Sequence, residues 1–306
     1  MSANSAWPEL PVASWQPTRD TLILWLQIVG KIRIARMPLL NHWWSAPLYL
    51  TSRGLTTSLM PAGAGRSFSI DLDFLQHRLE VSTTVGQSHS LDLAPTSVKD
   101  FYTEFTALLD ALDLITEIWP VPVELPGAIP FPDDVTHSSY DPAAVTAFWR
   151  ILVEVERVFN VFRARFVGKS SPVHLFWGAL DLATTRFSGR PAPPHPGGMP
   201  NCGPHVMHEA YSREVSSSGY WPGGEGEGIF YSYAYPEPDG YRTMSAGSNR
   251  ARFDDELGEF VLPYTVVRTA QDPDVVLLDF LQRTYEAAAV AGGWDRGLLE
   301  RSQDFP

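Results

Sequence analysis

Residues 174–189 read HLFWGALDLATTRFSG, and residues 42–54 read HWWSAPLYLTSRG. Each stretch begins with a histidine, continues with aromatic and small residues, and reaches a Thr-(Ser/Thr)-Arg triplet. Aligning the two histidines, with one inserted residue, places Arg53 opposite Arg186. The two stretches therefore predict that related structural units occur twice in this chain.

The elements around these stretches repeat in the same order. Trp7-Pro8 and Trp119-Pro120 each precede a predicted helix, a strand led by histidine, further strands and a closing helix. We expect a first repeat at 1–115 and a second at 116–306, packed around a pseudo-twofold axis as one compact unit. The alternative is that similar strands and turns look alike because they solve the same packing problem.

Helical and extended patterns alternate along the chain. Apolar residues recur at helical spacing in four segments, the first beginning after Asp20. The other three begin at Ser97, Asp141 and Asp272, which are good N-cap residues, and proline follows both aspartates. Between the helices, short alternating or β-branched and aromatic runs predict strands. The pattern favours an α+β fold with mostly antiparallel sheet.

The predicted halves differ most at one insertion. The first half turns at Gly54 directly into its next strand, whereas the second inserts the Pro/Gly-rich segment 187–214 at the same point. A long loop inside a compact domain is usually functional or disordered. We therefore expect any asymmetric function to lie near this insertion.

Composition limits the class of partner. The 306 residues include 23 Lys and Arg against 35 Asp and Glu, a net charge of −12, which argues against nucleic acid or anionic membrane as a partner. The single cysteine, Cys202, cannot form an intramolecular disulfide, and the first residues do not resemble a signal peptide. The longest apolar stretch, 22–29, is too short to cross a bilayer. We expect a cytoplasmic protein, and its oligomeric state stays open.

Aromatic residues and histidines supply the first candidate site groups. The chain has 10 Trp, 11 Tyr and 16 Phe, which predicts an aromatic cleft that includes Trp44 and Trp177. His42 and His174 each stand beside these aromatics, where a histidine can be a general base, a metal ligand or a structural group. A small molecule is the partner that such a cleft favours.

Arginines are the candidate anchors for an anionic ligand. Arg53 and Arg186 occur in largely apolar strand patterns, and Arg190 follows closely. A guanidinium binds two oxygens of a carboxylate or phosphate at once. The alternative is that each arginine pairs with an acid such as Asp181 or Glu209 and only stabilises the sheet.

Acid/base chemistry is the competing interpretation. Asp181 lies among apolar neighbours and needs a partner if it is buried, which His174 or Arg186 would provide. His137 is a further candidate in such catalysis. His195 and Glu209, both in the insertion, are candidate ligand-binding residues.

Metal binding is a weaker alternative. Cys202, His205 and His208 have Cys-x2-His-x2-His spacing, and His195 or Glu209 would be a further ligand for zinc. No second cysteine pair supports this pattern. The chain also lacks the phosphate-loop, Gly-x-Ser-x-Gly and His-Glu-x-x-His signatures. No cofactor is therefore assigned.

Three longer segments carry a resemblance to a known family. They read KSSPVHLFWGALDLATTRFSGR, EAYSREVSSSGYWPGG and IVGKIRIARMPLLNHWWSAPLYLTSRGLTTS. They resemble the uncharacterised bacterial family catalogued as domain of unknown function 5996. The resemblance implies one family over nearly the whole chain and carries no catalytic role. The family often has histidine where Arg213 stands, and its pattern does not include Cys202, His205 and His208.

Together these observations predict a protein that binds a small polar or anionic molecule in an aromatic-lined cleft. The first alternative is an enzyme that uses His/Asp acid/base chemistry, with or without a metal. The second is a structural or interaction protein whose motifs form a large aromatic core.

Overall fold

The structure is a computed structural model that describes residues 6–224 and 226–301. Within this part of the chain, α-helices and strands alternate in two successive runs. The helices are α1 (Val12–Arg36), α2 (Val98–Ala111), α3 (Pro142–Ala164), α4 (Pro204–Ala210), α5 (Tyr264–Arg268), α6 (Pro273–Ala291) and α7 (Arg296–Leu299). Short 3-10 helices occupy Asn41–Trp43, Phe131–Asp133 and Tyr241–Thr243. None of the described helices combines the length and apolarity that a membrane span requires.

The strands form two antiparallel sheets. The first contains β1 (Tyr49–Leu50), β2 (Gly54–Thr56), β3 (Met60–Gly63), β4 (Arg66–Asp73), β5 (Arg78–Thr83) and β6 (Ser88–Asp92), in the order β1-β2-β4-β5-β6 with β3 beside β4. The second contains β7 (His174–Phe176), β8 (Asp181–Pro191), β9 (Arg213–Trp221), β10 (Ile229–Tyr235), β11 (Arg252–Asp254) and β12 (Glu259–Pro263), in the order β11-β12-β10-β9-β8-β7. The predicted α+β class is confirmed.

Helix starts follow the sequence signals. The side chains of Ser97, Asp141 and Asp272 accept hydrogen bonds from backbone N–H groups of the first turns of α2, α3 and α6. The first helix was expected after Asp20 but begins at Val12. The first turns of α1 bury only Val12, Trp15 and Thr18, and they contain Pro17, which in a sequence usually marks the boundary of a helix rather than its interior.

The two runs share an element order. Each has a helix, a short hairpin, further antiparallel strands and a closing helix, so β1-β2-β4-β5-β6 corresponds to β7-β8-β9-β10-β12. This order is consistent with a duplication. The residues aligned from sequence nevertheless differ in position, because His42 lies in a 3-10 helix and His174 in β7. Likewise, Arg53 lies in the turn before β2 and Arg186 in the middle of β8.

The two sheets meet at one backbone bridge. Leu48 and Leu175 exchange both N–H···O hydrogen bonds, at 2.9 and 2.8 Å, and both side chains are fully buried. The bridge places the edge of β1 beside the edge of β7. One continuous apolar core therefore runs through both halves.

The sheets differ in how many faces they bury. In the first sheet, Ile70 and Leu72 of β4 are buried, whereas Asp71 and Asp73 lie on the solvated face, as the alternation predicts. In the second sheet, α3 packs on β8, and α6 packs on β9 and β10. The opposite face is also covered, so β8 is buried along most of its length on both sides.

Arg186 belongs to the helix-covered face of the second sheet. Its guanidinium lies 3.5 Å from the centroid of the Phe162 ring and 4.2 Å from that of Tyr285, and only 1% of the residue is exposed. It donates to the Phe162 carbonyl, while Nε and Nη1 have no hydrogen-bond partner among the described residues. Burial lowers its pKa to about 9. The expected acid partner is not there; aromatic rings contact the charge instead.

The two arginines aligned in sequence should respond differently to truncation. Arg186→Ala empties a fully packed site and is expected to lower the free energy of unfolding by about 3 kcal/mol or more. Arg53, whose side chain is 49% exposed, pairs with Asp73 at the surface, so Arg53→Ala should cost less than about 1 kcal/mol. Urea denaturation of both variants measures the difference. Similar small losses would contradict the packing role of Arg186.

Candidate functional site

A cavity of about 350 Å³ lies against the second sheet, on the face opposite α3 and α6. Alternate residues of a strand point to one face, so every second residue of β8, β9 and β10 forms its floor. These residues are Asp181, Ala183, Thr185, Phe187, Val215, Ser217, Tyr231 and Tyr233. The same strand, β8, thus supplies both the floor of the cavity and the buried Arg186 beneath it.

The insertion at 187–214 forms much of the cavity's roof. Its helix α4 contacts the 3-10 helix Asn41–Trp43, and both elements line the cavity. Trp44 and Trp177, expected in an aromatic cleft, also line it. The indole N–H of Trp177 donates to the Ala46 carbonyl at 2.9 Å, which joins the β7–β8 turn to the roof.

His42 stabilises the roof of the cavity through hydrogen bonds that occupy both of its ring nitrogens. Its Nδ1 is 2.9 Å from the Ala210 carbonyl, which only accepts, so Nδ1 carries the proton. Its Nε2 then accepts from the Lys169 ammonium at 2.8 Å. The backbone N–H of His42 donates to Glu209 at 3.0 Å, and burial lowers the pKa of the imidazole. Both ring nitrogens of His42 are therefore engaged, Nδ1 with α4 and Nε2 with Lys169.

Asp181 presents a carboxyl group to the cavity. The Tyr231 hydroxyl donates to its Oδ2 at 2.6 Å. Tyr231 passes over Gly219 of the intervening strand, where a Cβ would lie 2.3 Å from the tyrosine oxygen. Burial raises the pKa of Asp181 to about 6, although the Tyr231 hydrogen bond opposes this shift. The floor thus holds a carboxyl whose charged form is poorly solvated.

Glu124 brings a second carboxyl group to the same cavity. It lies outside the helices and strands, in a left-handed backbone conformation with φ of 64°. Its carboxyl lies over Gly178, at which a Cβ would be 2.3 Å from Oε2. Burial, followed by the charge of Asp181, raises its pKa to about 7. Sequence reasoning missed Glu124, because no periodic pattern or motif surrounds it.

His174 supplies a neutral ring to the cavity wall. Only 1% of the residue is exposed, and its Nδ1 has no hydrogen-bond partner among the described residues. Burial, followed by the charges of Arg163 and Arg33, lowers its pKa to about 3. The imidazole is therefore uncharged at neutral pH, and its Nδ1 is buried without a hydrogen bond to a described residue.

Hydroxyl groups complete the polar lining. Thr185 and Ser217 share a hydrogen bond of 2.9 Å across β8 and β9, and Tyr211 and Tyr233 share one of 2.7 Å between roof and floor. Each pair satisfies one hydroxyl proton internally and leaves one proton or lone pair for another partner. The cavity thus combines an aromatic wall with a few convergent polar groups.

The predicted arginine anchors do not reach this cavity. Arg186 points to the other face of β8, and Arg53 lies at the surface. Arg190 lies near the end of β8, beyond the register shift that follows Phe187, and pairs with Glu214 at 2.7 Å. In the part of the chain that the structure describes, no arginine or lysine lines the cavity.

Two predicted histidines also lie outside it. His195 stacks on Tyr211 with ring centroids 4.6 Å apart and accepts from the Gly197 N–H. His137 lies in a separate hollow, where its Nδ1 is 2.7 Å from Oδ2 of the buried Asp134. The structure therefore does not bring His137 together with His174 and Asp181.

The Cys-His-His pattern is not gathered into one site. Cys202 lines the cavity, whereas His205 and His208 are exposed on α4. Within residues 6–224 and 226–301, no group of three or more His, Cys, Asp or Glu side chains is arranged to hold a metal ion. Cys202 precedes α4 and faces the cavity, whereas His205 and His208 lie one turn apart on the exposed side of the helix, a separation that a count of intervening residues does not reveal.

A comparison with protein families agrees with the resemblance in the sequence. The chain belongs to the family of unknown function DUF5996, whose model matches residues 7–301. No curated protein and no solved structure matches the chain. The geometry of the cavity is therefore the main guide to function.

Replacing Asp181 tests the unfavourable burial of its charge. A carboxyl with a raised pKa favours the folded state while it is protonated, and this contribution is lost as pH rises through about 6. Asp181→Asn should therefore raise the melting temperature relative to the parent protein at about pH 8, and this gain should shrink towards about pH 5.

Asp71→Asn, on the solvated face of the first sheet, is the matched control. Thermal unfolding followed by circular dichroism at several pH values measures the effect. A uniform loss of stability in Asp181→Asn at every pH would show that the carboxylate is a structural partner.

Proposed function

We propose that the protein binds a small polar molecule in the cavity between the second sheet and the insertion. The observation that carries this proposal is an aromatic-walled space of about 350 Å³ into which a few polar groups converge. Ligand sites typically have this composition and a volume of about 300–1,000 Å³. The volume suits a molecule of metabolite size rather than a peptide.

The residues that line the cavity disfavour an anionic ligand. An anion would meet the carboxyl groups of Asp181 and Glu124, with no arginine or lysine lining the space to offset them. An interaction of like charges in a poorly solvated site is strongly unfavourable. Of the two ligand classes that the sequence predicts, a polar molecule is therefore favoured over an anionic one.

An acid/base enzyme is the second candidate function. The pKa of Asp181, about 6, lies where a carboxyl can both accept and donate a proton near neutral pH. Tyr231 positions this carboxyl at 2.6 Å, as a supporting residue would in a catalytic pair. In such an enzyme Asp181 would be the main acid/base group, with His174 nearby. Both ring nitrogens of His42 are already hydrogen-bonded, and His137 lies in a separate hollow.

Cellular location and the remaining partners are part of the proposal. A single cysteine and an excess of acidic residues support a cytoplasmic protein that does not depend on nucleic acid. The repeated element order supports an origin by duplication of one half.

Filling the cavity tests the binding proposal. Ala183 lies on the floor and is 2% exposed, so Ala183→Phe should occupy the space that a ligand needs. In ligand-observed NMR with a library of small fragments, the parent protein is expected to bind several fragments that Ala183→Phe no longer binds. Ser90→Phe adds the same bulk on exposed β6 and should bind like the parent.

A second variant protects this test against a failure to fold. Overpacking a core position costs about 1–3 kcal/mol, so Val206→Trp, in the roof, fills the cavity from its more accessible side. Melting temperatures confirm that each variant is folded. Unchanged fragment binding in both folded variants would place the binding site elsewhere and overturn the proposal.

A further inference from the structure

We propose that the ligand of this cavity is an organic cation, an ammonium group carried on a compact aromatic or apolar body, with its charge beside Asp181 and Glu124. This inference rests on the proposed function and adds the charge class of the ligand. Three independent features of the cavity lead to it: its unpaired carboxyl groups, its aromatic walls and the free nitrogen of His174.

The first feature is a pair of carboxyl groups without a cationic partner. Neither Asp181 nor Glu124 has a lysine, arginine or histidine within ion-pair distance among the described residues. Tyr231 is the one side chain that donates to Asp181, and no described group donates to the Glu124 carboxyl. Buried charges in proteins are normally paired. A cationic ligand would supply the missing partner for both groups.

The second feature is the aromatic wall. Trp43, Trp44, Phe176, Trp177 and Tyr211 line the cavity together with the floor tyrosines. Aromatic faces attract cations, and most strongly where water is excluded. The protein already shows this contact at the edge of the site, since the Lys169 ammonium lies 5.3 Å from the centroid of the Trp44 ring and 5.0 Å from that of Phe187.

The third feature is the unsatisfied nitrogen of His174. The residue is 1% exposed and lines the cavity, and its Nδ1 has no partner. A buried polar atom without a hydrogen bond costs about 1–3 kcal/mol. Because the ring is neutral and belongs to the lining, a reorientation of its side chain would let it accept an N–H of a cation or exchange a hydrogen bond with a second polar group of the ligand. It adds no repulsive charge.

The surrounding charges preserve the acidic character of the cavity. Glu259 of β12 lies on the Tyr233 side of the floor, and burial followed by the charge of Asp181 raises its pKa to about 7. In the roof, Glu209 binds the His42 N–H, and Lys169 donates to His42 Nε2. Lys31 is directed to the Trp119 ring, and Cys202 is the other titratable side chain near Glu124. Arg33 and Arg163 lie close enough to His174 to lower its pKa, and Arg213 lies near Lys169 and His42. Among the described residues that line the cavity, however, the Asp, Glu, Lys and Arg side chains are those of Asp181 and Glu124 alone.

Three probes of nearly equal shape separate the charge classes. Benzylamine is a cation, benzyl alcohol is neutral and benzoate is an anion. Titration of the intrinsic tryptophan fluorescence at about pH 8 should show benzylamine binding about tenfold or more tightly than benzyl alcohol, a difference of about 1.4 kcal/mol, and no binding of benzoate.

The pH dependence gives a second readout. The raised pKa values, about 6 for Asp181 and about 7 for Glu124, mean that both carboxyls gain protons between about pH 8 and pH 5. Benzylamine stays charged over this range. Its affinity should therefore fall as pH is lowered, while the affinity of benzyl alcohol stays nearly constant.

Single substitutions assign the effect to the two carboxyls. Asp181→Asn and Glu124→Gln should each weaken benzylamine binding about tenfold and leave benzyl alcohol binding within about twofold. Asp71→Asn, remote from the cavity, is the matched control and should bind like the parent. Because both test variants keep the shape of the side chain, benzyl alcohol binding also confirms that the cavity remains intact.

Three results would overturn the inference, and each has a distinct meaning. If benzyl alcohol or benzoate binds at least as tightly as benzylamine, the cavity binds small molecules but not cations. If no probe binds while other fragments bind in a way that Ala183→Phe abolishes, the proposed function stands and the cation class is wrong. If no fragment depends on the cavity, both proposals fail together.

Discussion

Burial of β8 on both faces is the constraint on which the rest of the structure depends. One face carries Arg186 between the rings of Phe162 and Tyr285, and the other carries Asp181 and Thr185 into the cavity. Because side chains alternate between the two faces of a strand, adjacent residues of β8 must belong to opposite layers. The helices α3 and α6 fix one layer, and the insertion at 187–214 covers the other. The cavity exists because the roof spans the sheet without filling the space above it.

The predictable part of the fold consists of features with a local cause. Ser97, Asp141 and Asp272 precede their helices because their side chains accept hydrogen bonds from free backbone N–H groups. This signal is local and can be recognised from the sequence alone. The start of α1 was misplaced because its first turns bury few apolar residues and contain Pro17, which is rare inside a helix. The alignment of the two arginine triplets failed for a related reason. It matched residue types, whereas the β1–β2 turn and the long β8 place those types in different structural settings.

The site was predictable to the extent that aromatic residues and histidines cluster along the chain. His174, Asp181, Trp44 and Trp177 were expected together and do line one cavity. The arginines expected in the same cleft lie elsewhere, because residue identity does not reveal which face of a strand borders a cavity and which is core. Glu124 was unpredictable, since its position follows from tertiary contacts: its N–H donates to the Pro200 carbonyl, and its carboxyl occupies the space left by Gly178.

Several features that are unfavourable for folding are concentrated around the cavity, and one explanation would account for all of them. Glu124, His42 and Leu180 adopt left-handed backbone conformations, two carboxyl groups have raised pKa values, and His174 leaves a ring nitrogen unpaired. Each feature opposes folding, and apolar replacements would remove the electrostatic ones. The helix-covered face of the second sheet differs, because aromatic rings contact the buried guanidinium of Arg186 there. Unpaired polar groups beside well-packed aromatics support the proposal of a ligand site, because a bound partner would offset part of the free energy that their burial costs.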